Sequence, residues 1–289
     1  MYMKILLGVD GSEQSYEAAR ALTGLIPAEE IIVLTVVTVP GLSYPTLGAG
    51  LAKDLSMQVE QAMREEAEEL LDRSTALLPP HAGPVTRQLE LGAPAEIILN
   101  LAKEKGIDLL VLGARGLGQF REHMFGSVSH RVMTHAHCST LIVKDRLRKI
   151  RHILLPVANQ EDGDAAVRFL RQKPFRESVK ITVLHVIPFS QPVWPVGAMI
   201  PEDFRKEMVA HGEEFTGKIA SALEKEGYSA EGKGILGAPS FSIAEEVTAL
   251  SPDLILMRSH SRSGFSRFLL GSVSHSVVHH TNCSILLIR

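Results

Sequence analysis

The chain has 289 residues, a formal net charge of −3, 45% hydrophobic residues and 22% charged ones. That length corresponds to about two domains, and the composition is that of an ordinary globular protein. The small negative charge gives no global electrostatic ground for a nucleic-acid or anionic-membrane partner, so neither is expected.

Taken in order, Lys4–Val9 is a short apolar run, Asp10–Ser12 a turn, and Glu13–Leu25 has helical spacing. Glu30–Val39 is β-branched and apolar on both faces, which suits a parallel strand covered on both sides. Gly41–Gly50 is a Gly/Pro-rich loop, and Leu51–Leu78 is a long amphipathic helix. Val85–Leu91 is the third strand; Ala95–Lys105 is helical behind Pro94, a residue suited to a first helical turn. Leu109–Leu112 is the fourth strand, Ser127–Thr134 a helix and Thr140–Lys144 the fifth strand. The second half repeats the order, with strands at Arg151–Val157, Lys180–Ile187, Ala230–Leu236, Asp253–Met257 and Ser284–Arg289. A Pro-rich loop, Pro188–Pro201, follows its second strand. Strand–helix alternation of this kind builds βαβ units with right-handed crossovers. The fold class read from it is α/β, with two doubly wound parallel sheets in tandem.

The repeat is also literal. FGSVSH at Phe125–His130 returns as LGSVSH at Leu270–His275, 145 residues later. Self-similarity over half a chain fixes the domain count, and the domains are expected at 1–146 and 147–289. Lys144, Arg146, Arg148, Lys149 and Arg151 fall at the junction and read as a solvated linker.

In open α/β sheets ligands sit beyond the carboxyl ends of the strands. After the fourth strand the first half reads LGARGLGQFREHMFGSVS, Leu112 to Ser129. Glycines at 113, 116 and 126 let backbone amides approach a ligand closely. The segment Gly126-Ser127-Val128-Ser129 would offer helix N-terminal amides to an anion, with two hydroxyls beside them. Together these suit a di- or triphosphate; the other reading is that the glycines make tight turns and Ser127 caps a helix. The segment is neither a Walker loop nor a G-x-G-x-x-G fingerprint after strand one.

The pattern G-x2-G-x9-G-[ST], in a domain that opens with Val9-Asp10-Gly11-Ser12, resembles the universal stress protein family. Leu91-Gly92-Ala93-Pro94 and His137-Cys138-Ser139 support the resemblance, which covers the whole chain as two domains in tandem. It implies five-stranded sheets in the order 3-2-1-4-5, akin to adenine nucleotide alpha-hydrolase-like folds. It also implies ATP or AMP, with or without magnesium, between strands one and four. Carried over by position, Asp10 would meet the adenosine, and Gly8 and Val36 would line the adenine pocket. Leu112, Gly113, Arg115 and Gly116 would border ribose and phosphates, and Gly126, Ser127, Val128 and Ser129 would hold the phosphate chain. Arg115 stands where the family often has a small polar residue or His, and would either contact a phosphate or point to solvent.

The second repeat has lost much of this set. Aligned on Gly126 and Gly271, Gly113 becomes Arg258 and Gly116 becomes Ser261, while Asp10 falls opposite Ala158. Only Gly271-Ser272-Val273-Ser274 survives, as a structural turn or a weak anion site assisted by Arg258 or Arg262. This repeat is therefore expected to bind nucleotide weakly or not at all.

Other features point less sharply. Histidines are dense near the ends of both halves: His123, His130, His135 and His137 with Cys138, then His275, His279 and His280 with Cys283. His135-x-His137-Cys138 is not a zinc knuckle, so these read as helix-surface residues and no metal is expected. The two cysteines are too few for a disulfide scaffold. The start MYMKILLGVD does not read as a secretory signal, and no run reaches the ~18 apolar residues of a membrane span, so a cytoplasmic setting is expected. The last strands would be sheet edges needing cover, and the two copies can pair there as an intramolecular pseudo-dimer; a homodimer is the other option. The loops Pro40–Gly50 and Pro188–Pro201, the latter holding Trp194, would lie near the cleft mouths as lids or as plain surface loops. The resulting expectation is a stress-response regulator that binds ATP or AMP in its first domain. A slow ATPase, autophosphorylation on Ser127 or Ser129, and a nucleotide-free partner-binding scaffold are the alternatives.

Overall fold

Apolar runs bounded by turns become strands here, and the sheet they form is continuous through both repeats. The computed structural model describes residues 3–39, 49–116, 125–189, 201–259 and 270–289, with backbone alone for 49–53. The first repeat supplies β1 Lys4–Gly8, α1 Glu13–Ala21, β2 Glu30–Val37, α2 Ala49–Ala76, β3 Val85–Leu91, α3 Pro94–Glu104, β4 Leu109–Gly113, α4 Ser127–His135 and β5 Ser139–Val143. The second supplies β6 His152–Pro156, α5 Gln160–Leu170, β7 Lys180–Pro188, α6 Glu202–Lys225, β8 Ser229–Gly237, α7 Pro239–Leu250, β9 Leu254–Arg258, α8 Ser272–His280 and β10 Ser284–Ile288. The loops expected as lids, with Trp194, lie mostly outside the described residues, as do His123, Ser261 and Arg262.

Strand order is β3-β2-β1-β4-β5-β10-β9-β6-β7-β8. Each half therefore has the expected 3-2-1-4-5 order, and within each half all neighbours are parallel. The halves meet edge to edge: β10 pairs antiparallel with β5, Leu286 opposite Leu141. The edges that the sequence left open thus cover one another.

The period-2 alternation of side chains assigns each strand to two cores. Ile5, Leu7 and Val9 join α1, α2, α5 and α6 on one face of the sheet. Leu6, Leu110 and Ile142 join α3, α4, α7 and α8 on the other. Both cores run through both repeats, so the two halves share their apolar interior across the seam. Among the described residues no helix is long and apolar enough to cross a membrane.

Two local expectations are corrected. The helix read as Glu13–Leu25 ends at Ala21 and tightens into a 3₁₀ turn, Leu22–Gly24. Leu25 then forms an isolated antiparallel bridge with Phe175 of the other repeat, and Ile26 N–H donates to Pro174 O at 3.0 Å. The basic junction is a solvated linker only in part. Leu147 and Ile150 are buried in the core, which turns the cations toward acceptors. Arg148 is 2.7 Å from Glu17 and Arg151 is 3.0 Å from Glu177. The Lys144 ammonium donates to the carbonyls of Val278 and Thr281 at the end of α8, and burial pushes its pKa down to about 8. Lys144 and Arg148 thus anchor the junction, whereas Arg146, Lys149 and Arg151 remain exposed.

Candidate functional site

At the carboxyl ends of β1 and β4 lies a cavity of about 400 Å³. All eleven nucleotide-site residues expected from the sequence line it except Gly126, which caps the helix at its wall. Gly8, Leu112 and Gly113 form the buried floor, Val36 a side wall, and Asp10, Arg115 and Gly116 the exposed lip. Val9, Ser15, Leu34, Pro94, Ile98 and Phe125 complete the lining. These residues are mostly apolar, and nothing in their side chains marked them in the sequence as lining a ligand site.

The first turn of α1 builds the acidic side. Ser12 is its N-cap, its hydroxyl accepting from Ser15 N–H at 3.2 Å. The same hydroxyl lies 2.6 Å from Asp10 Oδ1 and 3.1 Å from Arg115 O, so Ser12 ties the strand-one turn to the strand-four turn. Ser12 N–H also donates to Asp10 Oδ1 at 3.0 Å. One oxygen of Asp10 is thereby committed to the turn, and the carboxylate sits at the cleft mouth.

The glycines have different reasons. A Cβ at Gly113 would meet the α1 backbone, 2.7 Å from Gln14 C and 2.8 Å from Ser15 N. That position is glycine because strand four packs directly on helix one. A Cβ at Gly116 would overlap Asp10 Oδ2, so the bare backbone there keeps the carboxylate facing the cleft.

The wall opposite Asp10 is the N-terminus of α4. Gly126 is its N-cap and supplies no side-chain cap, while the first intrahelical bond is His130 N–H to Gly126 O at 2.9 Å. The amides of Ser127, Val128 and Ser129 precede that bond and carry the positive end of the helix dipole. The two hydroxyls differ. Ser129 is buried and donates to Gly113 O at 2.6 Å, holding α4 to strand four. Ser127 is exposed at the mouth. The two serines are alike in sequence, and only the Gly113 carbonyl beside Ser129 separates them.

In the second repeat the equivalent cleft is larger, about 730 Å³, and apolar on most sides. Its strand-one end carries Pro156 and Ala158 where the first repeat has Gly8 and Asp10. The α5 N-cap is Asn159, whose Oδ1 accepts from Asp162 N–H at 3.1 Å, and Asp162 Oδ2 accepts from Ala158 N–H at 2.9 Å. Arg258, in the place of Gly113, puts its guanidinium 2.7 Å from Glu161 Oε2 and 3.7 Å from Asp162 Oδ1. His185 contacts Val157 O through Nδ1 at 2.9 Å. Gly271 caps α8 without a side-chain bond, so Gly271–Ser274 keeps the amide geometry of the first copy while its neighbours differ.

The histidines expected at helix surfaces include a convergent group. His135 and His137 are exposed and Cys138 is buried, and among the described residues they form no convergent ligand group. His130 on α4 instead meets His275 and His279 on α8, with one ring nitrogen from each within 4.8 Å of the others. Burial and the neighbouring cations push His279 down to about 4 and lower His130. The signal was in the sequence: His130 and His275 are equivalent positions of the repeat, which the pseudo-two-fold arrangement brings face to face.

The profile of the Universal stress protein family matches residues 1–144 and again 149–289. A universal stress protein of Mycolicibacterium smegmatis is 25% identical over 301 residues, which cover 99% of this chain and 96% of that one. The universal stress protein YxiE of Bacillus subtilis is 29% identical over 154 residues, 50% of this chain and 100% of its own length. The crystal structure of a universal stress protein from Archaeoglobus fulgidus superposes with a TM-score of 0.66 at 19% identity, covering 99% of this chain and 98% of the other. With the family profile satisfied by both halves and the fold shared end to end, this chain belongs to the universal stress protein family.

Proposed function

We propose that the first repeat binds ATP or AMP, with or without magnesium, and that the chain is a cytoplasmic stress-response regulator working through this binding. One observation carries the reading. The uncapped amides of Ser127, Val128 and Ser129 face a cavity of about 400 Å³ whose opposite lip is Asp10, with Gly116 bare between them. Such an amide cluster favours phosphate oxygens, and the carboxylate suits the hydroxyls of a ribose. Leu34, Val36, Ile98 and Leu112 give the apolar walls that a base needs.

The second repeat is proposed as the degenerate site. Its cleft has the volume, but Arg258 is paired with Glu161, no carboxylate stands at Ala158, and Pro156 offers no amide. At most it holds an anion at Gly271–Ser274. Two free cysteines, unpaired in a disulfide, accord with a reducing compartment.

Titration calorimetry of the full chain with ATP and AMP, with mass spectrometry of any ligand released on denaturation, tests this. One nucleotide per chain is expected. Two equal sites would overturn the asymmetry, turnover to ADP would move the assignment to an ATPase, and indifference to both nucleotides would leave a partner-binding scaffold.

A further inference from the structure

His275 and His279 stand one helical turn apart on α8, so both imidazoles project from one face. His130 reaches the same point from α4, across the seam where β5 pairs with β10. Its Nε2 lies 3.4 Å from His275 Nε2, and the ring centroids of His275 and His279 are 4.4 Å apart. Around a tetrahedral ion with metal–nitrogen bonds of about 2.0–2.1 Å, ligand nitrogens are about 3.3–3.4 Å apart. The His130–His275 pair already has that spacing, and a ring nitrogen of His279 lies within 4.8 Å of both. Phe125 packs edge-on against His130 and His279 at 6.5 and 5.3 Å between centroids, giving the group an apolar wall. The nearest ammonium, Lys144, is held by the Val278 and Thr281 carbonyls.

We propose that His130, His275 and His279 bind a divalent transition metal of the zinc class, leaving a fourth position open to water or an external ligand. Three imidazoles are the donor set that zinc, nickel and copper favour over magnesium or calcium. The site exists only in the folded tandem chain, because one ligand comes from each side of the seam and the third has no repeat counterpart: Thr134 stands where His279 would be mirrored. A bound ion would therefore clamp α4 to α8 and stabilise the joined halves by mass action. The three histidines lie outside the lining of the first cleft, and Phe125 touches both.

The test uses tag-free full-length protein, stripped with chelator and titrated with cobalt(II), followed by zinc competition. One cobalt per chain with the intense visible bands of a tetrahedral site is expected, displaced by zinc, together with a rise in melting temperature. His130→Gln, His275→Gln and His279→Thr should each weaken binding at least about tenfold, whereas His135→Gln, on the same helix and outside the group, should not. Circular dichroism of the stripped variants confirms that they are folded. Cobalt affinity unchanged in the triple variant, or no tetrahedral spectrum in the parent at excess cobalt, would overturn the proposal and leave a packing contact between rings.

Discussion

Leu141 of β5 lies directly opposite Leu286 of β10, and the two are the same position of the two repeats. Around them the register crosses over, Ile142 facing Ile285 and Thr140 facing Leu287. The pseudo-two-fold axis of the molecule therefore passes between these leucines. Both are at most 2% exposed, and they belong to one apolar core. Truncating either to alanine should cost about 3 kcal/mol. The double variant should depart from additivity by about 0.5 kcal/mol or more, because the residues share a seam. Urea unfolding of the four proteins measures this; strict additivity would mean that the halves are stabilised separately.

Gly116→Ala isolates the proposed nucleotide site from the fold. Its added methyl overlaps Asp10 Oδ2, and the residue is exposed with no positive φ to lose. Nucleotide affinity should fall at least about tenfold, ~1.4 kcal/mol. Melting should stay within about 0.5 kcal/mol of the parent. Calorimetry and thermal unfolding read the two effects; unchanged affinity would remove Gly116 and Asp10 from the site. Gly113→Ala is the contrasting case, since its methyl meets the α1 backbone and should damage folding first.

The same contrast shows what the sequence could carry. Val85–Leu91 was legible to the residue, because its alternation and bounding turns are local. The strand order followed from the resemblance, and the glycine spacing led to the cleft. What escaped depends on contacts far along the chain. The end of α1 is set by Phe175 and Pro174, about half the sequence away, which draw Leu25 and Ile26 out of the helix. The junction looked like a basic linker because Glu17 and Glu177, which pair with it, are in other elements. Ser127 and Ser129 looked equivalent until Gly113 O was placed beside only one of them.

Glu17 is the acid that binds the junction to α1. Its side chain is 9% exposed, with Arg20 and Arg148 each at 2.7 Å. Burial alone would raise its pKa, but the hydrogen bonds and charges of Arg148 and Arg20 prevail and hold it below the usual 4.5. A depressed carboxyl means that the unfolded chain binds more protons than the folded one in that range. The stabilisation is thus complete above about pH 4.5 and is lost as pH falls through the folded value. Glu17→Gln should cost about 1–2 kcal/mol at neutral pH, the partners being partly exposed. It should also shrink the loss of stability on acidification. Denaturant midpoints from neutral to acid pH, parent against variant, check both; parallel curves would mean that Glu17 is not a titrating anchor.

The symmetric register at Leu141 has a consequence for the first repeat alone. Residues 1–146 retain β1 to β5 and the helices on both faces, but lose β10 and so bare the β5 edge and the apolar side chains beside it. An uncovered edge of this kind pairs with whatever presents the complementary pattern. A second copy presents the same Thr140-Leu141-Ile142 run in antiparallel register, with Leu141 opposite Leu141, reproducing the geometry that the tandem chain builds internally. The fragment should therefore sediment as a homodimer. Leu141→Lys should return it to a monomer, because a charge on the axis would face its own copy in the buried seam. Analytical ultracentrifugation, with circular dichroism to show that both fragments are folded, decides it. A folded, monomeric parent fragment would mean that the β5–β10 pairing needs the covalent junction, and that Arg148 and Lys144 contribute more to the joint than the strands do.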